Sequence, residues 1–127
     1  MEAELHEEWV DKAEQDVRAA FRLLKECPVE VPDVICWLCQ QCAEKYLKAL
    51  MTKDPDVGFI REHDLVKLGQ ELSGKYAEFS RLEDHLYRLY EFGKPDVRYP
   101  GLVTDSADAK QAFQIAMRIR RATRRDL

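Results

Sequence analysis

Apolar residues in this chain return every three or four positions, and that period fixes the fold class. Leu5, Trp9, Ala13, Val17, Phe21 and Leu24 make the first such stripe, which predicts a helix from about 3 to 26 with those six residues inward. The five glycines and five prolines fall almost wholly between periodic segments, where helices stop. A second helix is expected from Asp33, an N-cap candidate after Pro32, to about Thr52. A short one follows His63-Asp64, with Leu65, Leu68 and Leu72 on one face and Gly74 at its end. A fourth is expected from Ala77 to Phe92, with Phe79, Leu82, Leu86, Leu89 and Tyr90 inward. A fifth starts near Asp105 or Ser106 and carries Ala109, Ala112, Phe113, Ala116 and Ile119. No segment alternates with period two over a useful length. The expectation is all-α: an up-and-down antiparallel bundle of four long helices plus one short helix, with residues 1–127 forming a single domain.

At 127 residues, 46% hydrophobic and 35% charged, the chain can bury a core without disulfide staples. It has no apolar run long enough for a membrane span, and its acidic start is unlike a signal peptide. The expected compartment is the cytoplasm. Net charge is −4 but uneven: residues 1–16 hold seven acids and one lysine, and the last ten hold five arginines and one aspartate. The acidic total argues against a nonspecific duplex-DNA binder.

Cys36, Cys39 and Cys42 spell the opening of an iron–sulfur signature, but the position of the next cysteine holds Tyr46. Steps of three on a helix also rotate each thiol by about 60°. Buried, reduced thiols are expected, with no metal and no cofactor. His6 is expected in solvent, His85 beside the apolar stripe of the fourth helix, and Asp64 as a cap beside His63.

Gln41, Lys45 and Lys48, with Glu44 alongside, form a polar stripe that alone reads as a solvated face. Asp16 aligns with Trp9, Ala13 and Ala20, so it belongs at the edge of the core and needs a cation. Lys45 and Arg98 are the candidates. The C-terminal arginines suit a helix C-terminus, with a nucleic-acid contact as the alternative. Arg98 lies in a Tyr-Pro-Gly hinge, where a turn alone does not call for it.

Four pieces occur in order: Trp9-x3-Ala13-x2-Asp16, Gln40-Gln41-x-Ala43-Glu44-Lys45-x-Leu47-Lys48-Ala49, His63-Asp64-Leu65 and Arg98-Tyr99-Pro100-Gly101. Together they resemble the HEPN domain (higher eukaryote and prokaryote nucleotide-binding) over roughly residues 5–122. The resemblance implies an all-α bundle that forms a homodimer and is encoded beside a minimal nucleotidyltransferase, in pairs that include toxin–antitoxin systems. It implies that active members are metal-independent ribonucleases with Arg, four to six residues, then His, or Tyr in place of His. Here the positions for that His, counted from Arg98, hold Val103, Thr104 and Asp105. Arg81 to His85 has one residue too few. The expectation is therefore a non-catalytic binder of a nucleotide or RNA phosphate, with Arg98, Tyr99, Lys45, Lys48, Gln41, Asp16 and His63 as ligand-binding residues. The alternatives are an atypical ribonuclease using His63 or His85, and an interaction module without ligand.

Overall fold

The structure is a computed structural model that describes residues 2–93, 100 and 103–127, with side chains from Leu5 onward. Arg98, Tyr99 and Gly101 lie outside the described residues. Six helices are present among those described: α1 Glu2–Glu26, α2 Pro32–Lys53, α3 Leu65–Ser73, α4 Glu78–Arg81, α5 Glu83–Gly93 and α6 Ser106–Arg124. The described residues include no strand.

α2 is the central element. From Ile35 to Met51 it is buried almost all round, as expected of a helix apolar on several sides. Contacts along its length set the directions of its neighbours. Trp9 lies near Lys48 and Asp16 near Lys45, so α1 runs antiparallel to α2. Gly93, at the end of α5, meets Cys36 and Gln40 near the start of α2. Arg88 reaches Gln111 while Arg81 lies with Arg125, so α5 and α6 are antiparallel. The expected up-and-down order holds, with α4 and α5 together as the third limb.

Two glycines set how closely the limbs approach. A Cβ on Gly93 would stand 2.1 Å from Cβ of Gln40 and 3.1 Å from the Cys36 carbonyl oxygen. A Cβ on Gly69 would stand 2.4 Å from Leu86. Gly93 needs a residue without a side chain for the packing seen, whereas at Gly69 the obstacle is the movable end of the Leu86 side chain.

Helix ends follow capping chemistry. Asp64 accepts from the Val66 N–H at 2.9 Å. Asp105 and Asp108 form a reciprocal box at the start of α6, at 2.8 and 3.0 Å, satisfying two otherwise orphaned N–H groups. The second helix begins one residue earlier than expected. Pro32 takes the first turn, where its missing N–H costs nothing, and Val31 rather than Asp33 is the cap.

Other expectations need correction. The helix expected over 77–92 is broken at Leu82, whose φ of −93° and ψ of 1° leave the helical region. Phe79 before the break and Leu86 after it are both in the core. Leu5 and Phe21 are 47% and 51% exposed, because the buried stripe of α1 is Ala13 and Ala20, small residues that bring α1 close to α2. His6 is buried rather than solvated. No helix among the described residues is long and apolar enough to cross a membrane.

Candidate functional site

The polar stripe of α2 is only partly solvated: Gln41 and Lys45 are half-buried, and Lys48, with its neighbours Glu44 and Gln40, is buried at 5, 6 and 4% exposure, because the loop before α3 and the start of α1 close over them. Burying such groups is tolerable only when they are paired, and here they form one network. The Glu44 carboxylate accepts from Lys48 Nζ at 2.9 Å and from Gln40 Nε2 at 3.3 Å. His63 Nδ1 lies 2.9 Å from the same Glu44 oxygen that takes Lys48. Gln40 Nε2 also approaches the His63 carbonyl at 3.4 Å, and Gln41 donates to Gln40 Oε1 at 2.8 Å. The Lys48 ammonium stands 5.7 Å from the Trp9 ring centre and 5.9 Å from that of Phe59, within cation–π range. His63 is the outward member, its side chain 83% exposed.

One helical turn away, Lys45 Nζ meets Asp16 Oδ2 at 2.6 Å, with side chains 25% and 17% exposed. The carboxylate at the core's edge therefore has a cation, Lys45, which is one of the two candidates named from the sequence.

Of the seven sequence-derived site residues, the structure brings Gln41, Lys48 and His63 into one hydrogen-bonded group and Asp16 and Lys45 into an adjacent pair. Gln40 and Glu44, not counted among those seven, are the hub of the group. Their signal was the spacing Gln40, Glu44, Lys48, polar residues in steps of four along one line of the helix. Gly93 packs on Gln40, so α5 ends beside this network.

On the far side of α2 a second network is structural. Glu14 accepts from the Tyr46 hydroxyl, from Arg120 Nε at 3.0 Å and from Arg124 at 2.7 Å. Burial pushes the Glu14 carboxyl up, but the hydrogen bonds and charges of Arg120, Tyr46 and Arg124 outweigh it and leave it below its usual range. A third pins the loop after α2: Asp54 accepts from the Tyr76 hydroxyl and pairs with Lys75 at 2.7 Å. Lys75 and Tyr76 hold the Asp54 carboxyl down at about 2.

Cys36, Cys39 and Cys42 are buried in the core as free thiols. Burial pushes Cys36 up to about 12, and Cys39 and Cys42 are raised as well. Such thiols stay protonated and make poor ligands. Among the described residues no group of His, Cys, Asp and Glu is placed to hold a metal ion.

The positions where a ribonuclease histidine would follow Arg98 are occupied otherwise. Val103 is 88% exposed. Asp105 is spent on capping α6.

Comparison with known proteins agrees with this architecture. The crystal structure of TT1696 from Thermus thermophilus superposes with a TM-score of 0.79 at 20% identity, over 96% of this chain and 98% of that one. ST0689, described as an archaeal HEPN homologue, superposes with a TM-score of 0.66 at 26% identity, over 94% of each chain. No curated protein matches the sequence. The HEPN domain family model matches residues 6–126, nearly the whole chain, and the chain accordingly belongs to the HEPN domain family.

Proposed function

We propose that this HEPN domain binds a nucleotide or an RNA phosphate without cleaving it, as a homodimer that partners a minimal nucleotidyltransferase of the toxin–antitoxin type. The observation that carries the reading is the Asp16–Lys45 pair at 2.6 Å. It gives Asp16 a cation that is not Arg98, which favours a ligand as the partner of that guanidinium. A planar, permanently charged fork suits phosphate. Of the Gln40–Glu44–Lys48–His63 network, the exposed His63 is the member a ligand could reach. The absence of catalysis follows from the residues at 103–105, none of which is an imidazole able to shuttle the proton of a 2′-hydroxyl.

One observation favours a second reading. His63 is exposed, with Nδ1 2.9 Å from Glu44, the orientation in which a carboxylate holds one ring nitrogen and leaves the other free as a base. That is the arrangement an atypical ribonuclease would use.

Calorimetric titration with ATP and with short single-stranded RNA, beside a cleavage assay in chelator, tests the proposal. Saturable binding with intact RNA is the expected result. Cleavage that disappears in His63→Ala establishes the enzyme instead. No binding and no cleavage leaves an interaction module.

A further inference from the structure

α6 divides its arginines between two faces. Arg120 and Arg124 turn to α1 and both bond Glu14. Arg118, Arg121 and Arg125 follow one another at steps of three and four on another side, about 4.5 and 6 Å apart along the helix axis. They line two adjoining grooves. The first, about 400 Å³, lies between α6 and α4 and is walled by Arg81 and Glu78. The second, about 480 Å³, lies between α6 and α5 and reaches His85, Gln111 and Gln114. Arg118 and Arg121 line both grooves and form the ridge between them.

Among the described residues Arg118 and Arg121 are exposed and make no ion pair. Arg125 pairs with Glu78 at 3.2 Å while staying 72% exposed. Four arginines thus converge around one lining acid, with Asp126 beside Glu78, in a chain whose net charge is −4. The helix dipole accounts for cations in the last turn of α6. It accounts neither for Arg118, which precedes that turn, nor for Arg81, which comes from another helix.

We propose that this ridge and its two grooves bind the backbone of single-stranded RNA, with Arg118 and Arg121 each forking a phosphate and the amides of Gln111 and Gln114 facing sugar or base. The guanidinium fork matches phosphate geometry in two-pronged fashion. The positive ground is short and the rest of the chain acidic, which disfavours a rigid duplex and admits a flexible strand. The proposal does not rest on the reading made around Arg98.

The test is fluorescence anisotropy of a labelled oligouridine at rising salt. It compares wild type with Arg118→Gln/Arg121→Gln, and with Arg18→Gln/Arg22→Gln, which removes two exposed arginines from α1. All three are expected to show the same thermal melt. The groove variant is expected to bind about tenfold more weakly, with its salt slope reduced by about 1.4, two phosphates at about 0.7 each. The α1 variant is expected to match wild type. An unchanged groove variant, or an equal loss in the α1 variant, overturns the proposal. A parallel titration of Arg98→Ala with ATP separates the two sites. If oligouridine binding follows Arg98 and ignores the groove, the groove proposal falls and the Arg98 reading stands. If ATP binding ignores Arg98 while oligouridine follows the groove, the reverse holds.

Discussion

Lys45 Nζ lies 2.6 Å from Asp16 Oδ2, tying the middle of α2 to the middle of α1. Both side chains are mostly covered, so the pair counts for more than a surface salt bridge. It counts for less than a fully buried one, since water still reaches a quarter of the lysine. Lys45→Ala is expected to destabilise the domain by about 1–2 kcal/mol, below the 3–5 kcal/mol of a stranded, fully buried charge. Asp16→Asn in the same chain removes that charge and should recover part of the loss. Urea melts of the single and double variants check both.

Gly93→Ala is expected to cost about 1–3 kcal/mol, the usual penalty of overpacking. The added Cβ would collide with Gln40 Cβ at 2.1 Å and crowd the Cys36 carbonyl at 3.1 Å, and backbone cannot rotate away. Because Gln40 belongs to the Glu44 network, ligand titration of the variant should weaken together with its stability. A Gly93→Ala protein with an unchanged melt would contradict the packing.

Acid should weaken the fold through two carboxyl groups. Glu14 and Asp54 both have folded carboxyl pKa values below their ordinary ones. Each therefore adds stability that is fully present above its unfolded value and is lost as pH falls through its folded one. For Asp54 the window runs from its ordinary 3.8 down to about 2. Asp54→Asn should flatten the pH dependence of the thermal midpoint over that window and leave the slope above about pH 5 unchanged.

Of the four cysteines, only Cys27 is not fully covered. A native thiol titration with a disulfide reagent should therefore detect about one thiol, and the remaining three only after unfolding, since burial and protonation both suppress attack. Four thiols reacting rapidly in the native protein would show that α2 is not packed as described.

The limbs of this bundle were legible because their apolar stripes have the helical period. Leu65, Leu68, Leu72, Leu86, Leu89, Ala109, Ala112, Ala116 and Ile119 are all buried where the periodicity placed them. The break at Leu82 was not legible. A period-based reading continues through a single non-helical residue when the apolar spacing is kept on both sides. The burial of Glu44 and Lys48 was missed for a different reason. A charged pair four residues apart looks the same on a solvated face as beneath Trp9 and Phe59, and only tertiary packing tells the two apart. Asp16 is legible because a lone carboxylate on an apolar stripe must find a cation, and Lys45 is one of the two that the sequence offers.

The central claim is that Arg98 serves a phosphate ligand and not the fold. The direct measurement is a urea melt beside an ATP and short-RNA titration of wild type and Arg98→Ala. With Asp16 already paired to Lys45, the variant is expected to lose under about 1 kcal/mol of stability. Loss of charge-assisted hydrogen bonds of about 1.5–3 kcal/mol should weaken ligand binding roughly tenfold to hundredfold. A stability loss of about 3–5 kcal/mol with unchanged ligand affinity would contradict the account and make Arg98 a structural strut.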